Sequence, residues 1–247
     1  MAAIPVAGVV GKCAYVAHGG LFRSPASVRS PFANDDDDNY DDDEDKYAPQ
    51  LGCINDLMQL KRMLHDPNPN DEANLDNLVD HTLIEDVMWS DPGPQHGLYC
   101  NTTRGCGLVW GSDITRQFLE QEGLTMIIRS HEGPDSRNQR REMKPMIECG
   151  YTVDHETPAG TCCTIFSAPD YPQWQASQPE NRFNNNASFL RLNHAIVNGP
   201  VPIHPLVVTY DAVKPRPKSR PYYNYLTNVL SDVEFESESE DSDDKDN

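Results

Sequence analysis

Val16-Ala17-His18-Gly19-Gly20-Leu21 closes a β-rich apolar run that begins at Ile4. The run reads as a buried strand, and the Gly19-Gly20 pair as the turn that ends it. His18 therefore falls at the C-terminal end of a strand. Ile128-Arg129-Ser130-His131-Glu132-Gly133 repeats the arrangement, with Leu124 to Arg129 as a strand that delivers His131. Open α/β sheets place their binding groups at such strand ends. One histidine there is more often a hydrogen-bonded structural residue. Two of them, with Arg104 between them in Asn101-Thr102-Thr103-Arg104-Gly105, point to two ligands of one metal site.

Outward from these strands the chain alternates. Leu51 to Leu64 has helical apolar spacing. Leu78 to Met88 reads as a short helix that runs into strand-like Val87-Met88-Trp89. Asp113 is expected to cap a helix over Ile114 to Glu122, stopped by Gly123. Glu132 to Lys144 reads as a basic and polar loop. Gly160 to Ser167 is expected to be a strand ending in Ala168-Pro169-Asp170-Tyr171, with further short strands over Ala187 to Leu192 and Pro205 to Tyr210. Strands mixed with a few helices give an α/β class.

The net charge of −19 is unevenly spread along the 247 residues. Asp35 to Lys46 and Ser231 to Asn247 each hold nine acids and one lysine, so each contributes −8 and −3 is left for everything else. Such runs repel themselves and bury no apolar area, so both are expected to be disordered. The domain division expected is 1–212 for the folded domain with an acidic insertion at 34–50, a Pro-rich linker at 213–230 and an acidic tail at 231–247. The acidic runs read first as a solvating loop and tail, with docking of basic proteins such as histones as the alternative. They disfavour nucleic acid, whose phosphates they repel.

The seven cysteines form no Cys-x-x-Cys pair, which leaves a zinc ribbon unsupported. Cys162 and Cys163 lie in an apolar run and read as buried free thiols. The first residues lack a basic signal-peptide region, and no apolar run is long enough to span a bilayer. A cytoplasmic or nuclear location, with no membrane partner, is the expectation.

Five runs occur in a fixed order. They are Val16-Ala17-His18-Gly19-Gly20-Leu21, Met88-Trp89-Ser90-Asp91-Pro92, Thr103 to Gly111 around Arg104-Gly105, Arg129-Ser130-His131-Glu132-Gly133 and Phe166-Ser167-Ala168-Pro169-Asp170-Tyr171. Together they closely resemble the C-terminal half of the phosphoprotein phosphatase family of serine/threonine phosphatases. Ser130-His131-Glu132-Gly133-Pro134-Asp135-Ser136-Arg137 is most similar to the plant type 7 branch and its type 5 relatives.

The resemblance implies a metallophosphoesterase αββα sandwich and a two-metal hydrolase acting on phosphoproteins. It implies two divalent metals, Mn, Fe or Zn, with His18 and His131 as ligands of the second. It assigns phosphate binding to Arg104 and Tyr171, and a place at the rim of the site to Asp91 and Asp170. Asp170 stands where many relatives have Asn.

The family's GDxHG, GDxVDRG and GNHE motifs have no counterpart, since the sequence holds no Gly-Asp and no Gly-Asn dipeptide. The expectation is therefore a C-terminal half of the sandwich only, with an incomplete catalytic set. Metal binding is expected to be weak or absent and phosphatase activity lacking in the chain alone. A lone half is also expected to be marginally stable through its exposed apolar faces and edges. The alternative is a non-catalytic module that binds phosphate or basic proteins.

Overall fold

The computed structural model describes residues 5–29, 48–61, 75–146, 148–172, 182–192 and 205–215. The tail at 231–247, most of the linker and residues 34–47 of the acidic insertion lie outside these residues. The chain divides into two units, Met1–Ala212 and Val213–Asn247. The first is described below.

Its centre is a five-stranded mixed sheet. β2 (Ala14–Ala17), β6 (Met126–Arg129) and β8 (Gly160–Ile165) run parallel side by side, in register Val16 with Ile128 and Ile128 with Cys163. β1 (Ala7–Val10) adds antiparallel to β2, and β7 (Tyr151–Thr157) antiparallel to β8. A three-stranded sheet orders β3 (Asp91–Pro92), β5 (Leu108–Trp110) and β4 (Leu98–Cys100). A hairpin joins β9 (Ala187–Arg191) to β10 (Leu206–Tyr210).

The three parallel strands are apolar on both faces because both are covered. Side chains alternate along a strand. Tyr15, Ile127 and Cys162 therefore enter one core, packed against α3 (Leu75–Trp89) and α4 (Ser112–Glu122) through Leu83, Val87, Phe118 and Leu119. Ala14, Met126, Ile128 and Cys163 enter a second, covered by Leu190 and Leu192. Both members of the Cys162-Cys163 pair are buried free thiols, one in each core.

Several sequence expectations need correction. Ile4 to Ala17 is not one strand: Gly11 and Lys12, at φ 59 and 58, turn it into the β1–β2 hairpin. The helix expected over Leu78 to Met88 spans Leu75–Trp89 as α3, so Val87-Met88-Trp89 is helical and not strand-like. Val87 prefers a helix here because its side chain fills the core and its carbonyl takes two amides of the His18 turn. Asp113 is not the cap of α4. Gly111 holds that position, and Asp113 lies in the first turn, accepting the amide of Gly97 with both oxygens at 2.9 and 3.0 Å.

The loop expected after His131 contains α5 (Pro134–Gln139), started by a proline in the first turn. Ahead of the acidic insertion lies α1 (Pro25–Arg29), and Ser24 and Ser27 bond Gln50 at the insertion's end. The helix expected over Leu51 to Leu64 is described as α2 (Ile54–Met58), and its last residues lie outside the described ones. β3, β4 and β5 went unread because two or three residues show no alternation.

Candidate active site

His18 follows directly on β2 and His131 follows one residue after β6, and the two strands are neighbours. The amide of Ser130 bonds the carbonyl of His18 at 3.0 Å, which locks the two strand exits together. The rings meet: His131 Nδ1 lies 3.2 Å from His18 Nε2, with ring centroids 5.0 Å apart. Trp89 packs edge-on against His131, with centroids at 5.1 Å. His131 reaches this position with a left-handed backbone, φ 69, uncommon for a non-glycine residue.

The Gly-Gly turn is demanded by close packing. The amides of Gly19 and Gly20 both bond the carbonyl of Val87, near the end of α3, at 2.8 and 3.0 Å. A Cβ on Gly19 would lie 2.5 Å from the backbone of Met88, and one on Gly20 would lie 2.1 Å from the Trp110 ring.

Both imidazoles are shifted toward the neutral form. Burial pushes the pKa of His131 down to about 4, and the Arg104, Arg129 and His18 charges push the same way against Asp91. His18 is lowered by burial and then by Arg129. The Nε2 of His131 is buried and has no hydrogen-bond partner among the described residues.

Arg104 projects from the loop between β4 and β5. Its Nε bonds Asp91 Oδ2, and its Nη2 reaches Ser136 Oγ at 3.4 Å. Asn101 shapes the loop, bonding the Arg104 amide through Oδ1 and Asp91 through Nδ2. Arg104, Asp91, Trp89, Ser136, Arg140 and Glu142 line one groove. Burial opposes the Asp91 carboxylate, but Arg129 and then Arg104 outweigh it and hold its pKa below the usual range.

Behind this pair lies a buried ionic network that the sequence reading missed. Arg129 bonds Asp91 at 2.8 Å and Glu132 at 2.7 Å. Arg137 bonds Glu132 and Asp154, each at 2.8 Å. Arg140 bonds Glu132 at 2.8 Å and the Pro92 carbonyl at 2.6 Å. One signal was visible: an arginine as the last residue of the otherwise apolar Met126-Ile127-Ile128-Arg129 strand.

Tyr171 and Asp170 are held together on the loop after β8. Tyr171 packs edge-on against Phe166 and stacks on Phe183, with centroids at 5.3 and 6.5 Å. Its amide bonds Asn185 Oδ1 at 2.9 Å, and Asp170 pairs with Arg182 at 2.9 Å. Asp170 has a left-handed backbone, φ 50. The structure thus joins His18 to His131 and Asp91 to Arg104, while Tyr171 and Asp170 form a cluster with Phe183, Arg182 and Asn185.

No family model matches the chain. Serine/threonine-protein phosphatase 7 of Arabidopsis thaliana is 39% identical over 240 residues, which are 97% of this chain and 54% of that protein. Serine/threonine-protein phosphatase 5 of Solanum lycopersicum is 27% identical over 92% of this chain and 28% of its own length. A solved structure of a protein serine/threonine phosphatase from Saccharomyces cerevisiae, with similarity to human phosphatase PP5, superposes with a TM-score of 0.51. It is 20% identical and covers 90% of this chain and 50% of its own. The chain thus spans about half the length of the first of these relatives or less. Its mixed α/β architecture is that of the metallophosphoesterase fold.

Proposed function

Because the chain belongs to the serine/threonine phosphoprotein phosphatase family, we propose that it carries the part of a phosphatase site that grips the phosphoryl group and offers imidazoles to one metal ion. The observation that carries this reading is the meeting of His18 and His131, 3.2 Å apart at the ends of adjacent parallel strands. Arg104 binds phosphoryl oxygens with the edge of its fork that Asp91 leaves open. Asp91 stands at the rim of that groove, and Tyr171 and Asp170 are proposed to border the phosphoryl group from their own cluster with Phe183 and Arg182, which is not part of the groove that Arg104 and Asp91 line. The substrate is a protein phosphorylated on serine or threonine.

The residues present fit part of a metal's ligand set. Neutral imidazoles are the form that ligates Mn, Fe or Zn, and the unpartnered Nε2 of His131 is a donor of that type. The fit ends there. Among the described residues no group of three or more His, Cys, Asp or Glu gathers. A catalytic metal normally has three protein ligands. What divalent ions contribute in such hydrolases is charge neutralisation and an activated water. We propose that these 247 residues alone bind metal weakly and keep phosphate binding without turnover.

The test is release of inorganic phosphate from a phosphoserine peptide with added Mn²⁺. None above background is expected. Turnover abolished by Arg104→Ala would sink the incomplete-site reading while leaving the phosphatase assignment standing. Co-expression with the remaining part of a type 7 phosphatase, followed by metal analysis, checks whether the set can be completed. The acidic runs at 35–46 and 231–247 favour basic protein partners, which pull-down with and without those runs checks.

A further inference from the structure

Three turns carry the site: the His18 turn, the Ser90-Asp91 turn that holds Arg104, and the turn at His131. One buried guanidinium touches all of them. The Nε of Arg129 bonds the carbonyl of Gly19, the residue after His18. Its Nη2 bonds the carbonyl of Ser90 at 3.2 Å and Asp91 Oδ1 at 2.8 Å. Its Nη1 bonds Glu132, the residue after His131, at 2.7 Å, and Thr164 of β8 at 3.0 Å. Asp91 in turn holds Arg104 with its other oxygen.

We infer that Arg129 is the positioning residue of this site, a rigid template that sets the spacing between the His18–His131 pair and Arg104. The inference rests on the reading of Arg104 as the phosphate-binding group. A guanidinium presents five N–H donors in a fixed planar fork. Each arm of the Arg129 fork is used on a different turn, so the turns cannot shift independently. A strand built for stability alone would end in an apolar residue here, since replacing buried ion pairs by apolar groups is often neutral or stabilising.

Arg137 supplies the control. It is as deeply buried and shares Glu132 and Thr164, but its remaining partner is Asp154. Its bonds reach neither the His18 turn nor Asp91. Arginine-to-lysine changes at 129 and 137 are therefore matched in chemistry and burial and differ in what they touch.

The experiment uses the full chain as wild type and as Arg129→Lys, Arg137→Lys and Arg104→Ala. A labelled phosphoserine peptide is titrated into each, and NMR cross-peaks between the His18, His131 and Trp89 rings report how those rings meet. Arg129→Lys is expected to weaken the peptide at least tenfold and to lose the ring cross-peaks, while Arg137→Lys keeps both. Retention of both by Arg129→Lys overturns the inference, as does an equal loss in the two lysine variants. If the wild type does not bind the peptide, the phosphate reading fails, and Arg129 is judged on the cross-peaks alone. Should Arg129→Lys not melt cooperatively, Arg129→Ala folded with methylguanidinium takes its place. Return of the cross-peaks then sustains the role, and return of the melt without them overturns it.

Discussion

Asp91 divides its carboxylate between two guanidiniums, giving Oδ1 to buried Arg129 at 2.8 Å and Oδ2 to the Nε of Arg104. The buried cation fixes Asp91, and Asp91 fixes the cation that faces the groove. Removing the charge at this hinge point leaves both arginines under-paired. Breaking one side of a buried ion pair costs roughly 3–5 kcal/mol. Asp91→Asn keeps the shape but turns one of the two acceptor oxygens into an NH2 that faces a guanidinium donor, so a loss of about 3–5 kcal/mol is expected in urea unfolding. A loss of less than about 1 kcal/mol, the size of an exposed pair, would show that Asp91 carries no buried charge partnership.

Arg104→Lys separates charge from geometry. Lysine keeps the positive charge but loses the planar fork that can hold Asp91 and a phosphoryl group at once. Phosphopeptide affinity is expected to fall by about tenfold, equivalent to about 1.4 kcal/mol. The melt should move little, because lysine keeps a cation beside Asp91 and Arg129 still pairs with it. Unchanged affinity, measured by anisotropy, would remove Arg104 from the binding site.

Gly19→Ala tests the packing of the histidine turn. The added methyl would sit 2.5 Å from the Met88 backbone, which cannot move without disturbing α3. Overpacking of this kind costs about 2 kcal/mol. Gly8→Ala is the control, since a Cβ there meets nothing within 4 Å. Chemical denaturation of the two variants should separate them clearly; equal midpoints would contradict the close approach.

Asp154 sets a pH dependence whose sign is fixed. Burial raises its pKa, but Arg137 and the Thr164 hydroxyl outweigh that and hold the carboxyl below its usual range. A depressed carboxylate contributes stability that is complete above its unfolded value, about 3.9, and is lost as pH falls through the folded value. Asp154→Asn removes that contribution. Its stability should therefore decline less steeply than wild type below about pH 4. Parallel declines in urea midpoint would show that Asp154 has no depressed pKa.

The three parallel strands of the sheet were legible because they are apolar on both faces: Val16-Ala17, Ile127-Ile128 and Cys162-Cys163 read as strands from local pattern alone, while β7, with its polar Asp154, His155 and Glu156, did not. His18 and His131 were legible because each follows such a strand. Their direct contact was not, because strand order is a tertiary property and Leu124 lies more than a hundred residues from Ala17. The end of α3 read as strand-like because Val87-Met88-Trp89 has strand propensity, whereas in the fold Val87 is buried in the core and its carbonyl accepts the amides of Gly19 and Gly20. Arg129, Glu132, Arg137 and Asp154 were missed because a charged residue reads as surface unless its partners are known. Those partners come from four separate turns and strands.

The buried network also governs how a phosphorylated partner would arrive. Arg104, Arg129, Arg137 and Arg140 face Asp91, Glu132, Asp154 and Glu142, four cations against four anions joined by the ion pairs described. The site therefore projects almost no long-range attraction, and the chain as a whole carries a net charge of −19. An anionic partner meets repulsion at a distance and finds its cation only on contact. Screening weakens that repulsion over about 8–10 Å at ordinary ionic strength. Encounter should thus quicken, not slow, as salt is added, the reverse of electrostatic steering.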